Sequence, residues 1–162
     1  MCASKMLALA TVFLATTFLQ TEWDEFSFPE GNFRVLFPDN PQQQMDPERN
    51  RHQFSVMAEM ESYGVEYSDQ SPETDWENTV NRERDSIVGR FAGSVIKEER
   101  TSVEGYPGKW IRFVGQKTSG ELVIYFVRQR LYVLHALVPN GVPRPEGFST
   151  FLNSFRLLTK PR

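Results

Sequence analysis

The stretch Leu131–Tyr132–Val133–Leu134–His135–Ala136–Leu137–Val138 decides the fold. Both of its alternating faces are largely apolar. A strand of that kind lies inside a sheet, with one layer of structure above it and another below. It also needs neighbours, and the chain supplies them just upstream. Residues 121–128 read as a strand that reaches Leu131 through Gln129 and Arg130, which leaves room only for a tight hairpin. Residues 109–116 form the strand before that, joined through Lys117–Thr118–Ser119–Gly120. Tyr106–Pro107–Gly108–Lys109 places proline and glycine as a type II turn requires. Residues 94–103 carry Lys97, Glu98, Glu99 and Arg100, charges that suit an edge strand because they discourage unwanted pairing.

The covering layers are legible as changes of period. Trp76, Val80, Ile87 and Phe91 share one stripe at helical spacing, with Asn81, Arg82, Arg84 and Asp85 off it. Ser71–Pro72–Glu73 opens this helix with a cap, a first-turn proline and an acidic residue, and Thr74 with Glu77 offers a second capping box. Gly93 is the expected stop. The spacing predicts a long helix over about 72–92, its stripe laid on the sheet. After the turn-rich residues 139–145, a short helix is expected over about 146–154, carrying Phe148, Phe151 and Leu152. A last short strand covers 155–158.

Ahead of the long helix, Phe33, Val35 and Phe37 alternate on one strand, closed by Pro38 and Pro41. Residues 42–50 are polar, a loose edge strand or a loop. Phe54, Val56, Ala58 and Met60, then Tyr63, Val65 and Tyr67, read as the two arms of a hairpin through Glu61 and Ser62. The class is α+β: a mainly antiparallel meander flanked by a long and a short helix. With 162 residues, no repeat and no linker, residues 22–162 form one domain.

Composition narrows the function. Apolar residues make up 40% and charged residues 24%, so the chain is not disordered. The net charge of -3 gives no general attraction for phosphate backbones, and no nucleic acid is expected as a partner. The single cysteine, Cys2, excludes a disulfide framework, and two histidines leave little material for a zinc site. No cofactor is expected. At the N-terminus, Lys5 precedes the apolar run of residues 6–19, shorter than the ~20 residues a membrane-spanning helix needs. Polar character starts at Gln20. Residues 1–21 are read as an export signal, with an uncleaved membrane anchor as the competing reading. The compartment that follows is a periplasm, a thylakoid lumen or the cell exterior.

The ordered landmarks are Trp23–Asp24–Glu25–Phe26, Pro29–Glu30–Gly31–Asn32–Phe33–Arg34–Val35–Leu36–Phe37–Pro38, a hairpin, the Trp76 helix, the Gly105–Tyr106–Pro107–Gly108 turn, Arg130–Leu131–Tyr132–Val133–Leu134 and Phe151–Leu152–Asn153–Ser154–Phe155. Their order resembles the small exported proteins of the PsbP/Mog1-like fold. That resemblance implies an α/β/α sandwich and a noncatalytic role: docking on a larger assembly in the thylakoid lumen or, for Mog1-type proteins, on a small GTPase. It carries no functional residue to this chain.

The remaining candidates come from the residues themselves. Arg112, Arg128 and Arg130 lie on or beside adjacent strands and would form a basic docking spot if they share a face. Cross-strand pairing with Glu98, Glu104 or Glu121 is the alternative. Phe148 and Phe151, near Pro143–Arg144–Pro145, would anchor a partner if exposed. His135, polar among apolar neighbours, marks a possible pocket between sheet and helix. The expected activity is docking on a protein partner, with a membrane complex among the options. Membrane contact is expected only through residues 6–19 if they are retained. A small-ligand or metal-ion binding protein is the second reading, although no ligand position can be matched to a metal. A hydrolase using His135 or the carboxylates Glu59, Glu61, Glu66, Glu98, Glu99, Glu104 and Glu121 is the third. No nucleophile elbow supports it.

Overall fold

Residues 131–138 fall within strand β9 (Arg130–Pro139), the central strand of a seven-stranded antiparallel sheet. The computed structural model describes residues 22–158, so the export or anchor reading of residues 1–21 lies outside the described residues. Before β9 come β1 (Asp24–Phe28), β2 (Phe33–Phe37), β3 (Gln42–Asp46), β4 (Arg51–Ala58), β5 (Glu61–Asp69), α1 (Trp76–Arg90), β6 (Ser94–Val103), β7 (Tyr106–Val114) and β8 (Thr118–Val127). After it come α2 (Gly147–Ser154) and β10 (Arg156–Leu157). The large sheet runs β3-β4-β5-β9-β8-β7-β6. Two meanders, β3–β5 and β6–β9, are joined through α1 and meet where β5 pairs with β9.

The two faces of β9 are packed as its sequence requires. Leu131 and Val133 meet Val80, Ile87 and Val88 of α1. Tyr132, Leu134, Ala136 and Val138 face the opposite side, toward α2 and a second sheet. Burying a side chain of this size contributes roughly 1.5–3 kcal/mol, so this strand alone anchors three layers. The β8–β9 hairpin closes through Arg128 (φ 48°) and Gln129 (φ 68°). Both sit in the left-handed region, as a type I′ turn demands.

The α+β class with mainly antiparallel strands and two helices holds, and the structure divides the strands between two sheets. Strands β1, β2 and β10 form a separate three-stranded sheet. Phe33, Val35 and Phe37 are fully buried against the large sheet, with Phe33 stacked on Phe155 and Phe37 against Phe151. Strand β1 had no clear signature, because Trp23–Asp24–Glu25 places two charges at its start. The long helix is also shorter than its sequence suggests. Asp75, not Ser71 or Thr74, caps it by accepting from the Glu77 N–H at 3.1 Å. At its other end the chain turns at Ala92, which takes the left-handed conformation (φ 47°) expected of a glycine. Gly93 is needed for a different reason: a Cβ there would lie 3.0 Å from the Val114 carbonyl. Residues 42–46 resolve as the edge strand β3.

Candidate functional site

On the α2 side of the large sheet, the register places Arg112 of β7 opposite Glu121 of β8. Glu121 is almost completely buried, 1% exposed. Its carboxylate accepts from Arg112 Nη2 at 2.8 Å, Arg144 Nε at 2.6 Å and Trp110 Nε1 at 3.2 Å. Burial pushes this carboxyl up, but the hydrogen bonds from Arg144 and Arg112 outweigh it and hold the group below its ordinary range. Arg144 comes from the loop after β9 and also lies over the Phe148 ring. The two guanidiniums thus share one buried anion and keep about two-fifths of their side-chain surface exposed.

The edge beside this pair is apolar and open. A bulge in β6 between Val95 and Lys97 shifts the register and leaves Ile96 as an extra residue. Ile96 and Val114 are exposed by 58% and 43%. With Val142, Arg112, Arg144 and the flank of Phe148 they line a shallow groove of 160 Å³. Lys97 and Arg112 both lie over the Trp110 ring, at 5.4 and 5.2 Å. Lys97 pairs with Glu99 at 2.6 Å. Counting Lys97, Arg112 and Arg144 against Glu99 and Glu121 leaves this edge one positive charge in excess. The chain as a whole carries -3. Such a surface can grip an acidic side chain beside an apolar one.

The predicted site residues do not all gather here. Arg112 does. Arg128 sits at the hairpin turn, where its Nε donates to the Tyr106 hydroxyl at 2.7 Å. Arg130 forms a fork on Asp69 at 2.6 and 3.1 Å and reaches the Glu30 carbonyl at 2.9 Å. These two arginines pin the turn region instead of joining Arg112. Phe148 and Phe151 are 2% and 0% exposed. They fill the space between β2 and the large sheet, so an exposed aromatic anchor is not what α2 presents. Their apolar spacing showed a face, and the unrecognised second sheet covers it. Arg144 and Ile96 were missed: one lies in a loop, the other owes its position to a bulge.

On the α1 side, Lys109 is buried and donates to Glu98 Oε1 and Asn81 Oδ1, both at 2.7 Å. Arg84 holds the other Glu98 oxygen at 2.5 Å. Asn81 and Arg84 therefore face the sheet, not solvent. His135 lines a cleft of 390 Å³ with Gln53, Glu66, Ile87, Arg90, Phe91 and Leu137. Burial pushes its imidazole below the ordinary value, against the opposing pull of Glu66. Glu66 is itself buried and bound to Arg51 at 2.9 Å, and Arg51 reaches Glu83 at 3.0 Å. Glu66 and Glu121 thus depart from the solvated positions expected of most carboxylates. Among the described residues there is no group of three or more metal-ligating side chains, and no helix long and apolar enough to cross a membrane.

No family model matches the sequence, and no curated protein matches it either. Solved structures do. The solution structure of the cyanobacterial PsbP protein (CyanoP) from Synechocystis sp. PCC 6803 superposes with a TM-score of 0.61 at 12% identity, over 92% of this chain and 98% of that one. The Ran-binding protein Mog1p of Saccharomyces cerevisiae gives 0.55 at 8% identity, over 86% and 97%. The chain has the PsbP/Mog1-like fold.

Proposed function

We propose that this chain is an exported, noncatalytic module that docks on a larger protein assembly through the edge built by Ile96, Val114, Arg112 and Arg144. One observation carries the reading: exposed branched apolar side chains flanked by arginines, on the free edge of the large sheet, in an otherwise acidic chain. Charge complementarity selects the partner's chemistry, an acidic protein segment with an apolar residue beside its carboxylate. The carboxylate meets Arg112 and Arg144 at their exposed sides, and the apolar residue fills the groove. The yeast protein of this fold is Ran-binding by name, which supports protein contact as a use of the fold. The apolar run of residues 6–19 supports export, to a periplasm or thylakoid lumen, or retention at a membrane where the assembly would sit.

The test is crosslinking and affinity purification of the full chain from its native membranes, with mass spectrometry of its own N-terminus in the same sample. Ile96→Asp changes an exposed residue and should release a stoichiometric partner more than about tenfold, as loss of a central contact does. Met57→Asp, 74% exposed on β4, is the matched control and should leave capture unchanged. Equal capture by Ile96→Asp and wild type would remove this docking face. A chain that starts at Met1 and stays in the cytoplasm would remove the export reading.

A further inference from the structure

The docking face makes no use of the cleft on the other side of the sheet. That cleft has three chemically distinct walls. Ile87 of α1, Phe91 at the helix C-cap and Leu137 of β9 form an apolar wall. Arg90, at the last turn of α1, is exposed and has no ion-pair or hydrogen-bond partner among the described residues. The floor holds Glu66 and His135. Glu66 spends its Oε2 on Arg51, while its Oε1 stands 4.0 Å from His135 Nδ1. That separation is too long for a direct hydrogen bond. It is the right span for one donor group seated between them and bonded to each. His135 makes no hydrogen bond of its own among the described residues.

Charge then narrows the occupant. Arg51 and Arg90 balance Glu66 and Glu83, so the surroundings are neutral as a set. A ligand with a net charge would enter uncompensated, whereas a zwitterion would not. Gly64 supports the same arrangement from below. A Cβ there would lie 2.4 Å from His135 Cε1 and Nε2, so the glycine lets the imidazole lie flat on β5.

We infer that this cleft binds a free α-amino acid with an apolar side chain. The ammonium sits between Glu66 Oε1 and His135 Nδ1, the carboxylate meets Arg90, and the side chain lies against Ile87, Phe91 and Leu137. The neutral imidazole accepts one ammonium hydrogen, and burial keeps it neutral. The cleft volume falls within the range of small-molecule sites. The proposal stands apart from the docking reading: it involves the opposite face of the sheet and none of the same residues.

The experiment is an NMR titration of the isotope-labelled full chain with L-leucine, followed at the Gly64 amide and the His135 ring. Saturable shifts at these two probes are expected. Isocaproate lacks the ammonium and leucinamide lacks the carboxylate, and each should bind at least about tenfold more weakly, the loss of one charge-assisted hydrogen bond. Arg90→Gln alters an exposed side chain and should weaken leucine and isocaproate, which carry the carboxylate, by a similar factor while leaving leucinamide, which lacks it, unchanged. No saturable shift with leucine up to about 10 mM, a concentration far above a weak site's dissociation constant, would overturn the proposal. So would equal binding of leucine and isocaproate, or an unchanged affinity in Arg90→Gln.

Discussion

Replacing Glu121 with glutamine keeps the shape of the side chain and removes one charge. In the folded chain its two oxygens accept from Arg112 Nε (3.1 Å) and Nη2 (2.8 Å), Arg144 Nε (2.6 Å) and Nη2 (3.0 Å), and Trp110 Nε1 (3.2 Å). A glutamine has one acceptor oxygen and one NH₂ group. Whichever way the amide turns, donors face a donor at one position. Removing one partner of a buried ion pair costs about 3–5 kcal/mol. Here both arginines keep roughly 40% of their side-chain surface and recover part of their hydration. The net loss should be about 2–3 kcal/mol. At the ~2–4 °C per kcal/mol typical of a domain near this size, Tm should fall by about 5–10 °C. The pH dependence has a definite sign. The folded carboxyl lies below its ordinary value, so its stabilisation is present above the unfolded pKa of ~4.3 and is lost as pH falls through the lower folded value. Thermal unfolding followed by circular dichroism at neutral and strongly acidic pH checks both parts. The gap between the two proteins should be widest at neutral pH and narrow on acidification. A variant that melts with wild type at pH 7, or a gap unchanged down to pH ~2, would refute the buried-anion account.

The other expectations follow from similarly local geometry. Gly64→Ala places a methyl against the His135 ring and should cost about 1–3 kcal/mol, the usual penalty of overpacking, measured by urea unfolding. His135→Gln removes a group whose folded pKa is depressed by burial. Wild-type stability should therefore be full above the unfolded value of ~6.5 and decline below it, while the variant lacks that decline; denaturation at pH 7.5 and 5.5 compares the two slopes. Gln129→Gly puts glycine at a left-handed turn position and should stabilise by about 0.5–1 kcal/mol, read as a higher denaturation midpoint. Arg130→Ala removes the fork on Asp69 and the bond to the Glu30 carbonyl, and hydrogen exchange should rise at the β1–β2 turn with little change in α1.

Strand β9 could be read directly because burial on both faces writes itself into consecutive residues, and α1 because its stripe has a period of its own. The pairing of charges could not. Arg112 and Glu121 meet only through the exact register of β7 with β8, and Arg144 joins them from a loop 23 residues further on. A residue list offers Glu98, Glu104 and Glu121 as equal partners; the register selects one. The aromatic residues of α2 failed for a related reason. Spacing shows that Phe148 and Phe151 share a face, but whether that face is covered depends on β2, and β2 covers it only because β1, β2 and β10 separate from the large sheet. Covering Phe148 and Phe151 leaves the apolar exposure elsewhere, on Ile96 and Val114. Ile96 is the more telling of the two. In a regular β6 its side chain would alternate away from that of Lys97. The bulge suspends that alternation at Ile96 and brings it into the groove beside Arg112 and Val114. If the bulge exists to open that groove, deleting Ile96 should restore a regular β6–β7 ladder and abolish partner capture together, with stability equal to or above wild type. A deletion that keeps the partner would mean the bulge only protects a sheet edge.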